Sequence, residues 1–370
     1  MILKDLLDPH NTSPVTPLDQ IGAGAQGEVF RIMKNANDPW DQVLKLYHAS
    51  ASSIQGKHLT GYARYAHQQH KLKASPTLPL PLRVVVDESQ NRIGYTMRMI
   101  QGQPLDSTLY YDLYVHTAGL KARLFAAKIL AETVATLHHH LIVSADIADA
   151  NLHLDMKTMT IFHTDLDGGG VLISDLETKY LPGLSPLVRG HMEGSSMAPE
   201  MFQDQNKTAS LASDRWSLAV MIHKLLFIGL DPYFARSTYQ EVLEQKLVWP
   251  TLHTSDSARQ KYVPFHLEEL SRIGSIIKQH FTTVFNRAQN ECHPDVRPEA
   301  DDWARDLEIA LEWVKTCQHC KQEFVAEGLQ ACPFCRKRFS IPLVWTYRAC
   351  IPIDRQGKSI LGSDLGFRDH

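Results

Sequence analysis

Asp146 and Asn151 stand five positions apart in IVSADIADAN (142–151), behind a β-branched apolar pair. An Asp in such a loop can accept or orient the proton of an attacking hydroxyl. An Asn on the inner side of a cleft can bind a metal ion. A short loop places both on the same side of a reacting phosphate. In IFHTDLDGGG (161–170) an apolar strand ends at Asp165, whose carboxylate suits a Mg²⁺ ion bridging two phosphates. Asp167 is the rival ligand, but Asp165 is followed by Leu166, which can pack inward. In VLKLY (43–47) Lys45 emerges from an alternating apolar segment, where its ammonium suits the α- and β-phosphates of a nucleotide. Taken singly, each loop also reads as a polar turn, and Lys45 as a surface residue of an edge strand.

IGAGAQGEVF (21–30) adds Gly22, Gly24 and Gly27, with Val29 two positions on. Gly-x-Gly-x-x-Gly also serves dinucleotide-binding folds, where the loop runs from a strand into a helix. Here EVFRIMK continues as a strand, which predicts a β-hairpin lid over phosphates. Glycine allows close backbone approach and positive φ. An ordinary Gly-rich hairpin turn accounts for this stretch equally well on its own.

A second kind of chemistry lies in CQHCKQEFVAEGLQACPFC (317–335). Cys317, Cys320, Cys332 and Cys335 form two C-x-x-C pairs, and four thiolates suit a closed tetrahedral Zn²⁺ site. An iron centre or a redox pair is the alternative. His319 is surplus as a ligand, and Cys292 and Cys350 read as buried or free thiols.

The elements that must position these groups follow from periodicity. Strand patterns fill 16–48, and 56–74 is helix-compatible and ends before Pro76. LRVVVDES and RIGYTMRMI read as a hairpin. Helices are expected at 121–141, with Leu124, Ile129, Leu130, Val134 and Leu137 near one face, and at 213–229, 266–284 and 299–315. A mixed, Gly-rich stretch spans 151–197.

The composition is that of an ordinary globular chain: 370 residues, 44% hydrophobic, 21% charged, formal net charge −3. That charge gives no reason to expect binding to nucleic acid or an acidic membrane. The N-terminus has no apolar stretch suited to a signal peptide, and WSLAVMIHKLLFIGL (216–230) is too short to span a bilayer and reads as a buried helix. A cytoplasmic location is expected, which favours metal binding over disulfides for the cysteines. The 19 His are mostly scattered; His67 with His70, and the run His138–His140, read as solvated surface.

MAPE (197–200), SDRWSLAVMIHKLLFIGLDPY (213–233) and VRPEADDW (296–303) complete an ordered set with the Gly loop, Lys45, Asp146/Asn151 and Asp165. Over roughly residues 18–315 the chain resembles the protein kinases, and most of all the divergent bacterial serine/threonine kinases. The resemblance implies an α+β bilobal fold, an extension at 1–17, a small lobe at 18–101, a large lobe at 102–315, a zinc ribbon at 316–340 and a strand and tail at 341–370. It implies ATP and Mg²⁺ as cofactors and transfer of the γ-phosphoryl group to Ser or Thr of a protein substrate. It implies Met97, Arg98 and Met99 as further nucleotide contacts, Glu200 paired with Arg297, and Asp214 bracing the catalytic loop. Some such kinases are encoded beside a von Willebrand-type protein and a metal-dependent phosphatase, which are then the implied partners.

Four departures bear on the chemistry. Ser144 and Ala145 replace the His-Arg before the catalytic Asp, Ala148 replaces a Lys, and Asp167 replaces a Gly. Residues 46–86 contain no Asp or Glu, so the helix carboxylate that usually pairs with the strand Lys is absent. Gln68 or Gln69 could substitute, or Lys45 could lean on Asp165. The lost cations should slow phosphoryl transfer without abolishing nucleotide binding. A nucleotide-binding pseudokinase scaffold and a nucleotidylating enzyme are the alternatives. The Cys module is expected to recruit protein or dock on the helical lobe, and truncation near 315 is expected to spare the core.

Overall fold

A computed structural model describes residues 3–8, 10, 14–24, 26–34, 40–48, 52–69, 72, 75–87, 91–117, 119–166, 170–171, 196–204, 209–233, 249–250, 260–288 and 293–339. The architecture is mixed α+β. The strands are β1 (Leu3–Asp5), β2 (Pro17–Ala23), β3 (Gly27–Ile32), β4 (Gln42–Tyr47), β5 (Arg83–Asp87), β6 (Arg92–Arg98), β7 (Gln103–Pro104), β8 (Ile142–Val143), β9 (Leu152–Asp155), β10 (Thr160–His163), β11 (Gly170–Val171), β12 (Val314–Thr316) and β13 (Glu323–Val325). The helices are α1 (Ser52–Gln68), α2 (Ser107–Thr117), α3 (Leu120–His139), α4 (Pro199–Gln203), α5 (Leu211–Leu226), α6 (Val263–Leu270), α7 (Gly274–Thr282) and α8 (Ala300–Glu312).

The first six strands make one antiparallel sheet in the order β1-β5-β6-β4-β3-β2. Alternation divides its residues between two faces. Leu44, Leu46 and Val85 pack with Val15 and Ile32 on one, while Tyr47, Val84, Ile93 and Tyr95 pack with Leu59 and Ala63 of α1 on the other. Full burial of a Leu such as Leu44 or Leu46 contributes about 2 kcal/mol. Two glycines let the strands close. A Cβ at Gly94 would lie 2.4 Å from the Lys45 carbonyl oxygen, and one at Gly27 would lie 2.5 Å from that of Leu46. The N-terminal residues contribute to this sheet, because Leu3–Asp5 pairs with β5.

Helix α3 forms the centre of the larger, mainly helical region and packs against α5 and α8. Leu124, Leu130, Val134 and Leu137 are fully buried, as the apolar period requires, and Ile129 packs partly buried beside them. Ser210 and Ser213 cap α5 reciprocally, with Ser213 N–H donating to Ser210 Oγ at 3.2 Å and Ser210 N–H to Ser213 Oγ at 2.8 Å. Helix α5 is buried over most of its length, with the apolar run from Leu218 to Ile222 fully enclosed.

The helix expected over 266–284 is broken into α6 and α7 at Gly274, which takes a positive φ of +74°. The break makes room for β13. A Cβ at Gly274 would lie 2.9 Å from Val325 Cγ1, and Val325 N–H donates to the Arg272 carbonyl at 2.7 Å. Helix α8 stops before 315, and β12 leaves it to pair with β13. This hairpin belongs to the helical core, with Phe324 fully buried and Val325 in the main apolar cluster. Arg272 donates to the Glu323 carbonyl at 3.1 Å, and Ala326 N–H to that of Trp313 at 2.9 Å. The first compact unit therefore runs to Glu327 and the second begins at Gly328, twelve residues beyond the expected boundary at 315/316.

Two outcomes follow from this packing. Val325→Ala should lower unfolding stability by about 2 kcal/mol, and truncation after Thr316 should destabilise the helical core rather than spare it; urea titration checks both. The second concerns His266, fully buried in the cluster with His223, Phe227 and Trp249, where burial lowers its pKa from 6.5 to about 4. The unfolded chain takes up this proton first. Stability should hold above pH ~6.5 and fall by roughly 3 kcal/mol as the pH drops towards 4. His266→Phe should flatten that slope in unfolding measured across the same range.

Candidate functional site

The β3–β4 pairing sets Val29 opposite Lys45, and the β4–β6 pairing sets Lys45 opposite Tyr95 and Val43 opposite Met97. Directly paired residues share a face, so Val29, Lys45, Tyr95 and Met97 lie on the α1 side of the sheet. Lys45 is buried to 8% exposure. Its ammonium lies 5.3 Å from the Tyr47 ring centroid and 5.9 Å from that of Tyr95, which offers cation–π stabilisation. It is ion-paired with Asp165 Oδ1. Lys45 leans on Asp165, which lies outside the acid-free segment, while Gln68 of that segment is exposed.

Burial pushes the Tyr95 phenol up to about 12, with Lys45 pulling it down and Asp165 pushing it up. Burial also raises Tyr62 of α1, and Tyr95 adds to that shift. Both phenols remain neutral at physiological pH. The Tyr62 hydroxyl is buried and has no hydrogen-bond partner among the described residues.

Asp165 has φ +57° and follows β10 by two residues. The next residue, Leu166, is buried against Tyr62, Ala66 and Ile142, as expected of the residue that sets the direction of Asp165. Asp167 lies outside the described residues, so Asp165 is the one of the two acids whose place is known. Asn151 is stapled to this segment: its carbonyl accepts from Thr164 N–H at 2.8 Å and from Thr164 Oγ1 at 3.1 Å.

The Asp146–Asn151 loop is closed by local and distant bonds. Asn151 Nδ2 donates to the Asp146 carbonyl at 3.1 Å, and Asn151 N–H to that of Ala148 at 3.0 Å. Its side-chain nitrogen is thus spent within the loop, which leaves its oxygen as a hard donor of the kind Mg²⁺ takes. Asp149 accepts from Tyr110 Oη at 2.6 Å and from Lys224 Nζ at 2.5 Å. Asp214, fully buried in the first turn of α5, accepts from Ser144 N–H at 2.7 Å and Ala145 N–H at 3.0 Å. Ala145 sits at φ +62°, immediately before Asp146.

Other residues singled out in the sequence have the following surroundings. None of Gly22, Gly24 and Gly27 has positive φ; Gly27 is needed instead for the close approach of β3 to β4. The Arg98 guanidinium is held by the Ser75 and Pro76 carbonyls and lies 5.4 Å from the Trp40 ring centroid. Met99 N–H donates to the Asp41 carbonyl at 2.8 Å. Both groups are therefore engaged within the protein. His138 is not solvated surface: its side chain is 9% exposed and bonds Asp214 at 3.3 Å. Ser144, His163 and Asp149 carry no motif of their own, and their part emerges only from the contacts. His153, two residues beyond Asn151, is also near this site; burial lowers its pKa, opposed by a hydrogen bond to the Gly102 backbone and by Asp165. Farther along the chain, Glu200 and Arg297 form a bidentate pair with both contacts at 2.7 Å, and Arg297 lies 5.2 Å from the Trp216 ring centroid.

The four cysteines form a separate centre. One ligand atom from each of Cys317, Cys320, Cys332 and Cys335 lies within 4.8 Å of the others. Tetrahedral Zn–S bonds of about 2.3 Å place sulfurs roughly 3.8 Å apart, a separation compatible with that limit. The two knuckles repeat one turn. Lys321 N–H donates to the Cys317 carbonyl and Cys317 N–H to that of Gln322, both at 2.9 Å; Arg336 N–H donates to the Cys332 carbonyl and Cys332 N–H to that of Lys337, both at 3.0 Å. Lys321 and Arg336 both take positive φ, +61° and +62°. Such tight turns bring each pair of thiols to one side. Cys292 and Cys350 lie outside the described residues. Among the described residues no helix is long and apolar enough to cross a membrane.

No family model matches the chain, and no curated protein matches it.

The thiol geometry leads to a direct test. Purified protein should carry about one zinc per chain by elemental analysis, and Cys332→Ser should lose it. Retention of full zinc by that variant would place the metal elsewhere.

Proposed function

We propose that the chain is an ATP- and Mg²⁺-dependent protein kinase that transfers the γ-phosphoryl group to Ser or Thr of a protein substrate. The reading rests on one juxtaposition: Lys45 on a buried strand is paired with Asp165, whose neighbour Thr164 is bonded to Asn151 at the end of the Asp146 loop. The order β5-β6-β4-β3-β2, with α1 between β4 and β5, supports a kinase-like small lobe and hence a bilobal kinase-like fold. The Glu200–Arg297 pair and the bonds from the loop to Asp214 support it further.

In this reading Lys45 binds the α- and β-phosphates, and β2–β3 with Gly22, Gly24, Gly27 and Val29 covers them. Asn151 and Asp165 would hold Mg²⁺, which when bound neutralises charge on the phosphates. Asp146 orients the acceptor hydroxyl and takes its proton. Met97 lines the nucleotide side of the sheet. The four-thiolate module recruits a protein partner; the phosphatase and von Willebrand-type protein of the related gene sets are candidates.

A nucleotide-binding scaffold without useful turnover is the second reading. The observation that favours it is the pairing of Lys45 with the same carboxylate that Mg²⁺ must engage. In a phosphate-transfer assay with labelled ATP, Asp146→Asn should reduce the signal by about 100-fold or more. Equal signal from both proteins removes the catalytic claim. Mg²⁺-dependent stabilisation by ATP in a thermal shift, lost in Asp165→Asn, would then leave the scaffold standing.

A further inference from the structure

Two side chains outside the transfer chemistry join the segments that carry it. Ser144 lies two residues before Asp146, and His163 two residues before Asp165. Ser144 Oγ and His163 Nε2 are 2.5 Å apart, and both residues are buried, at 1% and 0% exposure. Beyond them, Asn151 and Thr164 make the second crossing, through the Asn151 carbonyl. Asp146 lies between the crossings on the loop, while Asp165 directly follows the second on the other segment. The Ser144 backbone is fixed independently by Asp214, and His163 N–H by the Thr77 carbonyl at 3.0 Å. The side-chain bond therefore links two separately anchored segments.

We propose that the Ser144–His163 bond is a positioning clamp that sets the separation of Asp146 from Asp165. The proposal rests on the kinase reading of those two acids. An apolar pair of similar shape would fill the same space at little cost, since a buried neutral hydrogen bond adds little net stability. Direction and length are what this bond adds. The clamp also gives Ser144 a purpose at a position where related kinases carry His.

The test separates positioning from packing. Ser144→Ala strands the His163 ring nitrogen in the interior and should lower the melting temperature. Ser144→Ala/His163→Phe removes both polar groups and should recover it. For the clamp, kcat falls by about tenfold or more in the single variant and stays low in the double, with the KM for ATP changed less than about twofold. If kcat recovers together with melting temperature, the pair is only packing and the proposal fails. Hydrogen exchange gives a readout that does not depend on turnover. Amides of 145–151 and 164–166 should exchange faster together in both variants. Unchanged exchange, or a rise in one segment alone, overturns the clamp. Should wild-type protein transfer no phosphate, the kinase reading falls, and the exchange result alone decides whether the two segments are clamped.

Discussion

A carboxylate with no access to water anchors the centre of the molecule. Asp214 is fully buried, and isolation of such a charge from solvent would cost several kcal/mol. It is retained because the Ser144 and Ala145 N–H groups donate to its two oxygens and His138 reaches it from α3. The first turn of α5 also favours a negative charge. Those bonds make the chain turn at Ala145 in a left-handed conformation that a non-glycine residue rarely adopts. Asp146 follows at once, so its direction is inherited from a helix 68 residues away in sequence. Mutation of Asp214 would release both the strained turn and the loop beyond it.

The sheet side is held by a different logic. Lys45 has no carboxylate on α1 to meet it, because the acid-free segment supplies none. Two aromatic rings and Asp165 surround the ammonium instead. This ties the fourth strand directly to the segment after β10. The sheet and the helical region thus share an electrostatic contact as well as the apolar cluster that holds Tyr62, Leu137 and Leu166.

Much of this was legible in the sequence where one period or one spacing governs. The alternation around Lys45, the stripe on α3, the apolar run within α5 and the paired cysteines each follow from local pattern, and the structure has strand, helix, buried helix and thiol cluster at those places. What escaped depends on contacts between distant segments. Nothing in FHLEELSRIGSIIKQHF announces that Gly274 must admit Val325 from fifty residues on. His138 looks like part of a surface run until Asp214 is seen beside it. Ser144 looks like the loss of a motif residue until His163 faces it. Arg98 and Met99 likewise make contacts that no local pattern announces, to the Ser75 and Asp41 carbonyls.

The docking of β13 ties metal supply to the fate of the larger unit. The hairpin that leads out of Cys317 and Cys320 ends in Val325, a member of the main core. An ion held only by the folded thiols favours the folded chain by mass action, by about 1.4 kcal/mol for each tenfold excess over its dissociation constant. Because the hairpin and the core share residues, part of that linkage must reach the helices. Cellular turnover of the protein would then follow the free zinc level, with scarcity shortening its lifetime.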